Sequence, residues 1–122
     1  MDDVDSDDRA LYTRAMSDNI RIAIAQINTS VGAINANIDK IGAARRKAAL
    51  ADADLVVFGE LTISGYPPED LVLKPAFQQA VEDAVAELAQ ETGDGGPALL
   101  IGSPWRLDGA LYNAALLLEE GE

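Results

Sequence analysis

A carboxylate followed by a stiff loop is the strongest candidate for chemistry in this sequence. Glu60 stands two residues after Phe58, at the end of an apolar run, and the segment SGYPPEDLVLKP follows at 64–75. A carboxylate held by a rigid strand and half shielded by apolar neighbours can serve as a general base, because shielding raises its proton affinity. The same position also suits a structural role, in which Glu60 caps the next turn or pairs with a surface arginine. On position alone, the structural role is favoured.

The composition excludes most other catalytic chemistries. The 122 residues contain neither cysteine nor histidine. These residues therefore form no disulfide, no zinc site with such ligands, and no Ser-His-Asp or Cys-His relay. Ser64 has no histidine to activate it. The groups that remain for catalysis are carboxylates, hydroxyls, backbone groups and three lysines, at positions 40, 47 and 74.

The charge balance bears on partners and location. The sequence has 21 acidic and 9 basic side chains, a net charge of -12, which argues against a nucleic-acid or anionic-membrane partner. Residues 1–18 are predicted to be an acidic, disordered lead-in, with a helical turn at 11–16. No signal peptide and no apolar run long enough for a spanning helix is found, so a cytoplasmic location is predicted.

Two apolar runs separated by a helical pattern position Glu60. The runs at 21–27 and 55–58 are apolar on both alternating faces, as in central strands covered on both sides. Between them, Ile34, Ile38 and Ile41 recur at helical spacing and predict a helix over 35–51, capped by Asn35 or Asn37. Strand, helix and strand in this order predict a parallel pair with a right-handed crossover.

A second helix and two more strands follow. Proline at position 75 suits a first helical turn and glycine at 93 suits the end, and the apolar stripe between them is read as core packing. The stripe consists of Phe77, Val81, Ala84, Val85 and Leu88. Strands are predicted over 98–102 and 111–118. A charged, glycine-containing turn follows the last strand, which predicts a hairpin whose second half is absent and a chain truncated within a domain.

The loops hold weaker candidates. Tyr66 is read equally as a pocket residue or a core residue, and Pro67-Pro68 stiffens the backbone behind it. Glu69 and Asp70 are expected to cap a short turn, and Lys74 to form a surface ion pair or enter the helix. The third strand is followed directly by Ser103, Pro104 and Trp105. These residues are predicted to form the rim of a site, with core packing as the alternative for Trp105. The glycines of GDGG at 93–96 lack the spacing of a phosphate-binding loop.

Four stretches resemble the opening of a carbon-nitrogen hydrolase domain, of the nitrilase superfamily. They read RIAIAQINTSVGAINANIDKI, DLVVFGELTISGYPPEDLVLKPAF, IGSPW and LYNAALLLEEG, and the resemblance spans roughly 20–121. A strand that ends in glutamate and is followed by GY is shared widely in the superfamily. The extension GYPPEDL with KPAF is similar to the glutaminase domains of glutamine-dependent NAD synthetases.

The resemblance implies an α/β fold, an α-β-β-α sandwich of which 19–122 is the amino-terminal portion, and a Glu-Lys-Cys triad. Glu60 matches the general base, and Gly59 departs from the proline that many members carry there. The lysine and cysteine have no counterpart here, since Lys40 and Lys47 precede Glu60 and Lys74 lies in the following loop. The 122 residues alone are therefore expected to be inactive.

The resemblance also implies a reaction and its partners. The parent protein would hydrolyse glutamine to glutamate and ammonia, and a carboxyl-terminal synthetase domain would use the ammonia, ATP and Mg to amidate nicotinate adenine dinucleotide. No cofactor or metal is expected within this segment, and a homo-oligomer is expected. Two alternatives stay open: a stand-alone amidase of the same superfamily, and a non-catalytic structural piece.

Overall fold

A computed structural model describes residues 19–122 as a four-stranded sheet with two long helices. The predictions for residues 1–18 lie outside the described residues. The elements in chain order are β1 (Ile22–Ile24), α1 (Ile34–Leu50), β2 (Leu55–Val57), α2 (Pro75–Glu91), β3 (Ala98–Leu107) and β4 (Ala110–Leu118). Short 3-10 turns occur at Glu69–Leu73 and Thr92–Asp94.

The strands lie side by side in chain order, and the first three are parallel. The predicted parallel unit is thus confirmed: Ile22 pairs with Leu55, which pairs in turn with Ala98. β3 and β4 form an antiparallel hairpin through Asp108 and Gly109, with φ values of 51° and 81°, as two-residue Asp-Gly turns require. β4 pairs with β3 along its whole length, so the hairpin within the described residues precedes the last strand, and the one predicted after it stays a prediction.

Both helices pack on one face of the sheet. Val56, Leu99 and Ile101 point into a core that also contains Ile41 of α1 and Leu88 of α2, so the helical stripes read from the sequence are confirmed as core. On the opposite face, Ile24 is 78% exposed and Leu117 is 54% exposed. Among the described residues, the expectation of strands covered on both faces therefore holds for one face alone.

The predicted helix caps are wrong. The residue that precedes α1 is Ala33, which makes no side-chain capping bond, and the 3-10 turn at Glu69–Leu73 likewise has none. Asn37 instead lies one turn inside α1, fully buried. Its amide donates to the carbonyls of Ser30 and Ile63 and accepts from the Ser30 N–H, at 2.8, 3.0 and 2.9 Å. A buried amide with these partners ties α1 to the loop after β2.

β3 is longer than the sequence predicted, and the proposed rim at its end is wrong. Ser103, Pro104 and Trp105 lie inside the strand and pair with β4. Ser103 and Pro104 are buried and Trp105 packs against the core. Proline is accommodated here because β2 pairs only as far as Leu100, which leaves one side of β3 without a neighbouring strand in the described residues.

A nearly buried arginine joins α1 to the loop before β3. The Arg45 side chain is 5% exposed and donates to both oxygens of Asp94, at 3.0 and 2.7 Å. Its Nε also donates to the Pro97 carbonyl at 2.9 Å. The hydrogen bonds from Arg45, and after them one from the Gly96 N–H, hold the pKa of Asp94 well below its usual range.

We expect Asp94→Asn to lower the free energy of unfolding by about 1 kcal/mol at neutral pH, because it leaves the buried Arg45 guanidinium without its countercharge while the 60% exposure of Asp94 limits the loss. Since the folded-state pKa of Asp94 is depressed, its contribution is full above the unfolded value of about 3.9 and declines as the pH falls below it. The difference in Tm between wild type and variant should narrow from about pH 6 to about pH 3. A Tm difference between wild type and variant that stays the same over this pH range, measured by thermal denaturation, would contradict this account.

Candidate functional site

Glu60 lies in a tight turn at the carboxyl end of β2, where it is fixed against β3. On either side of the turn, the Phe58 N–H donates to the Leu100 carbonyl at 2.9 Å and the Ile63 N–H to the Gly102 carbonyl at 3.2 Å. Within the turn, the Thr62 hydroxyl donates to the Gly59 carbonyl at 2.5 Å. These bonds hold Glu60 at the edge where ligands bind in sheets of parallel strands.

The turn rests directly on Gly102 of β3. A Cβ atom at this position would lie 2.4 Å from the Leu61 nitrogen, 2.6 Å from the Gly59 oxygen and 2.9 Å from the Glu60 Cα. Leu61 has a φ of 52°, a left-handed conformation that is uncommon for leucine. Strained backbone of this kind persists where the surroundings fix it, frequently at functional sites.

The Glu60 carboxylate has one partner, on β4, among the described residues. The Asn113 Nδ2 donates to Glu60 Oε2 at 2.7 Å. Side chains alternate along strands, so Asn113 and Ala115 share a face, and Ala115 pairs with Gly102 beneath the turn. The Glu60 side chain is exposed in the described structure, so the expected half shielding is wrong.

Glu60 and Tyr66 line a common depression of about 510 Å³. The other lining residues come from the ends of β1 and β2, including Gln26, Asn28 and Thr62. Tyr66 is 65% exposed, so the core interpretation is wrong. The structure thus brings the two residues singled out from the sequence to one concave surface.

The three lysines lie elsewhere. Lys40 donates to the Asn28 carbonyl and, with Lys47, lines an adjoining depression of about 730 Å³ between α1 and β1. That depression shares residues 24–28 with the one that Glu60 lines but does not include Glu60. Lys74 immediately precedes α2, which confirms it as a helix-entry residue. In the described part of the chain, no lysine lines either of the two depressions that Glu60 lines.

The remaining candidates are structural. Ser64 is fully buried, and its hydroxyl oxygen lies 2.9 Å from the Gly65 carbonyl oxygen and 3.3 Å from that of Leu61, two acceptors for its single hydrogen. Gly95 of the GDGG segment has a φ of 83° and turns the chain into β3. Within residues 19–122, no group of three or more acidic side chains is placed to hold a metal ion. Over the same range, no helix combines the length and apolar character needed to cross a membrane.

A sheet with three parallel strands and one antiparallel strand, which carries a glutamate at the carboxyl end of its second strand, fits the hydrolase resemblance. The carbon-nitrogen hydrolase family model matches residues 21–122, and the chain belongs to this family. Over 106 residues, or 87% of this chain, it is 45% identical to the glutamine-dependent NAD(+) synthetase of Rhodobacter capsulatus. The chain spans 19% of the length of that relative.

Solved structures show the same fold. A glutamine-dependent NAD+ synthetase from Acinetobacter baumannii, in complex with ADP, superposes with a TM-score of 0.78 at 31% identity, over 84% of this chain and 19% of that one. An amidase from Nesterenkonia sp. superposes with a TM-score of 0.67 at 23% identity, over 84% of this chain and 39% of that one. The predicted α/β fold of the nitrilase type is thereby confirmed.

Proposed function

We propose that these residues belong to the glutaminase domain of a glutamine-dependent NAD(+) synthetase, in which Glu60 is the general base. The observation that carries the proposal is the fixed placement of Glu60, at the end of β2 and above Gly102, in a chain of the carbon-nitrogen hydrolase family. The 45% identity to the Rhodobacter capsulatus synthetase supports glutamine as the substrate.

In the proposed reaction, Glu60 takes the proton of a cysteine thiol supplied by the parent protein outside these residues. The thiolate attacks the side-chain amide carbon of glutamine, and a lysine, also outside these residues, stabilises the tetrahedral intermediate. Return of the proton to the amide nitrogen releases ammonia and leaves a glutamyl thioester. Glu60 then takes a proton from water, which attacks the thioester and releases glutamate and the free thiol.

Tyr66 is proposed to form one wall of the glutamine pocket. It lines the same depression as Glu60, and Pro67-Pro68 stiffens the backbone directly after it. Its ring can exclude water from one side of the substrate while the side chains of Gln26 and Asn28 offer polar contacts in the same depression.

The wider proposal concerns the parent protein. Residues 19–122 form the amino-terminal portion of the hydrolase domain, preceded by the acidic segment 1–18. The synthetase domain, with ATP and Mg, uses the ammonia to amidate nicotinate adenine dinucleotide. A cytoplasmic location and a homo-oligomeric assembly complete the proposal, and both stay predictions.

The test is NAD formation by the purified protein encoded by the complete reading frame. With glutamine, ATP, Mg²⁺ and nicotinate adenine dinucleotide, we expect NAD and glutamate to form together, measured by chromatography. Ammonia release without any NAD formation would instead support the stand-alone amidase. Absence of ammonia release from glutamine would refute the glutaminase assignment, and with it the role proposed for Glu60.

A further inference from the structure

We propose that Asn113 is a positioning residue for Glu60, which holds the carboxylate in the orientation needed to accept a proton. This inference rests on the glutaminase function proposed above. The observation behind it is the 2.7 Å hydrogen bond between Asn113 Nδ2 and Glu60 Oε2, which joins residues 53 positions apart.

The hydrogen bond from Asn113 makes the two oxygens of the Glu60 carboxylate unequal. Oε2 accepts the hydrogen bond from Asn113, whereas Oε1 accepts none from any residue in the described part of the chain. One oxygen is thus anchored, and the other is available to take the proton of a nucleophile. An amide suits this task because its NH₂ group donates to a carboxylate and carries no charge of its own.

The backbone around both residues fixes the distance between them. Asn113 pairs with Pro104 on β3, and the turn that carries Glu60 lies on Gly102 of the same strand. The hairpin register, set by the turn at Asp108 and Gly109, therefore determines how far Asn113 stands from Glu60. Positioning by neighbouring strands is more precise than positioning by a loop.

The surroundings of the pair also favour a functional contact. Glu60 and Asn113 line a shallow depression of about 280 Å³ whose other walls include Gly59, Gly102 and Ala115. The adjoining depression, which Glu60 also lines, contains Tyr66. Asn113 lines the first depression and Tyr66 the second, so Asn113 is placed to orient Glu60 without lining the pocket proposed for glutamine.

The experiment uses the full-length protein and the variants Asn113→Ala and Asn113→Asp. Loss of a hydrogen bond to a charged group should lower kcat for glutamine hydrolysis by about 10- to 100-fold, with KM within about twofold of wild type. Asn113→Asp keeps the shape of the side chain and removes the donor, so it should be at least as impaired. Asn35→Ala, at an exposed asparagine of α1, is the matched control and should be unchanged.

NAD synthesis from added ammonium chloride separates positioning from misfolding. We expect Asn113→Ala and Asn113→Asp to keep wild-type rates with ammonium, which bypasses the glutaminase. In a Glu60→Gln background, Asn113→Ala should cause no further loss, because its effect acts through Glu60.

Three results would overturn the inference: wild-type glutamine hydrolysis by Asn113→Ala and Asn113→Asp, an equal loss with glutamine and with ammonium in both variants, or a full additional loss in the Glu60→Gln background. In each case wild type would still hydrolyse glutamine and Glu60→Gln would do so far more slowly, so the proposed function would stand. If wild type itself fails to hydrolyse glutamine, the proposed function is wrong, and this inference, which rests on it, is wrong as well.

Discussion

Glu60→Gln in the full-length protein should lower kcat/KM for glutamine by about 10²–10⁴-fold, the range supplied by a general base. Glutamine at this position keeps the size of the side chain and can still meet Asn113 through its amide oxygen, but it cannot take a proton from a thiol. The loss should therefore arise in kcat, with little change in KM and none in Tm. Ammonia release, measured by coupled assay, checks this result.

Glu87→Gln is the matched control for that variant. Glu87 is exposed on α2, on the side of the molecule away from the open sheet face, so the same change of charge there should leave glutamine hydrolysis at the wild-type rate. A Glu60→Gln enzyme with activity close to that of Glu87→Gln would mean that Glu60 has only a structural role.

Gly102→Ala should impair the site without removing any reactive group. The added Cβ would stand 2.4 Å from the Leu61 nitrogen and 2.6 Å from the Gly59 oxygen, both backbone atoms, so the turn that carries Glu60 must move. Such crowding typically costs about 1–3 kcal/mol of stability, and a displacement of about 1 Å can cost about 10²-fold in rate. We expect both effects, measured by thermal denaturation and glutamine hydrolysis.

Gly59→Ala provides the matched control for Gly102→Ala. Gly59 directly precedes Glu60, yet an added Cβ there would meet only the Thr62 hydroxyl oxygen, at 4.0 Å. We expect wild-type activity and unchanged or slightly raised stability, since alanine restricts the unfolded chain more than glycine does. If Gly102→Ala behaves like Gly59→Ala, the close approach of the turn to β3 does not set the position of Glu60.

The elements that the sequence predicted well are those with local signals. The spacing of Ile34, Ile38 and Ile41 located α1, and proline at position 75 marked the first residue of α2. Glu60 was found because a carboxylate after a buried strand falls at a predictable edge of a parallel sheet. In each case, the residues that carry the information are neighbours along the chain.

The features that were missed depend on contacts between distant residues. Asn113 meets Glu60 only because the Asp108-Gly109 turn sets the register of β3 against β4. That dipeptide is a strong hairpin signal, and it would have predicted the hairpin. The buried Arg45 is equally hard to predict, because its partner Asp94 lies 49 positions away.

Strand length was misjudged for a related reason. Pro104 looks like the end of a strand, yet β3 continues through it to Leu107 because it pairs with β4 over that length. Proline is tolerated there because β2 has already ended opposite Leu100. Conversely, β1 is shorter than its apolar run, because only three of its residues pair with β2. Pairing partners, rather than local composition, thus determine where these strands stop.

The central claim is that Glu60 removes the proton from the nucleophile before ammonia leaves. A single-turnover, rapid-quench measurement with full-length enzyme in excess over glutamine tests it directly, because ammonia release then reports the acylation step alone. We expect Glu60→Gln to slow this step by about 10²-fold or more, while NAD synthesis from added ammonium proceeds at the wild-type rate. Acylation in Glu60→Gln as fast as in wild type would contradict the account.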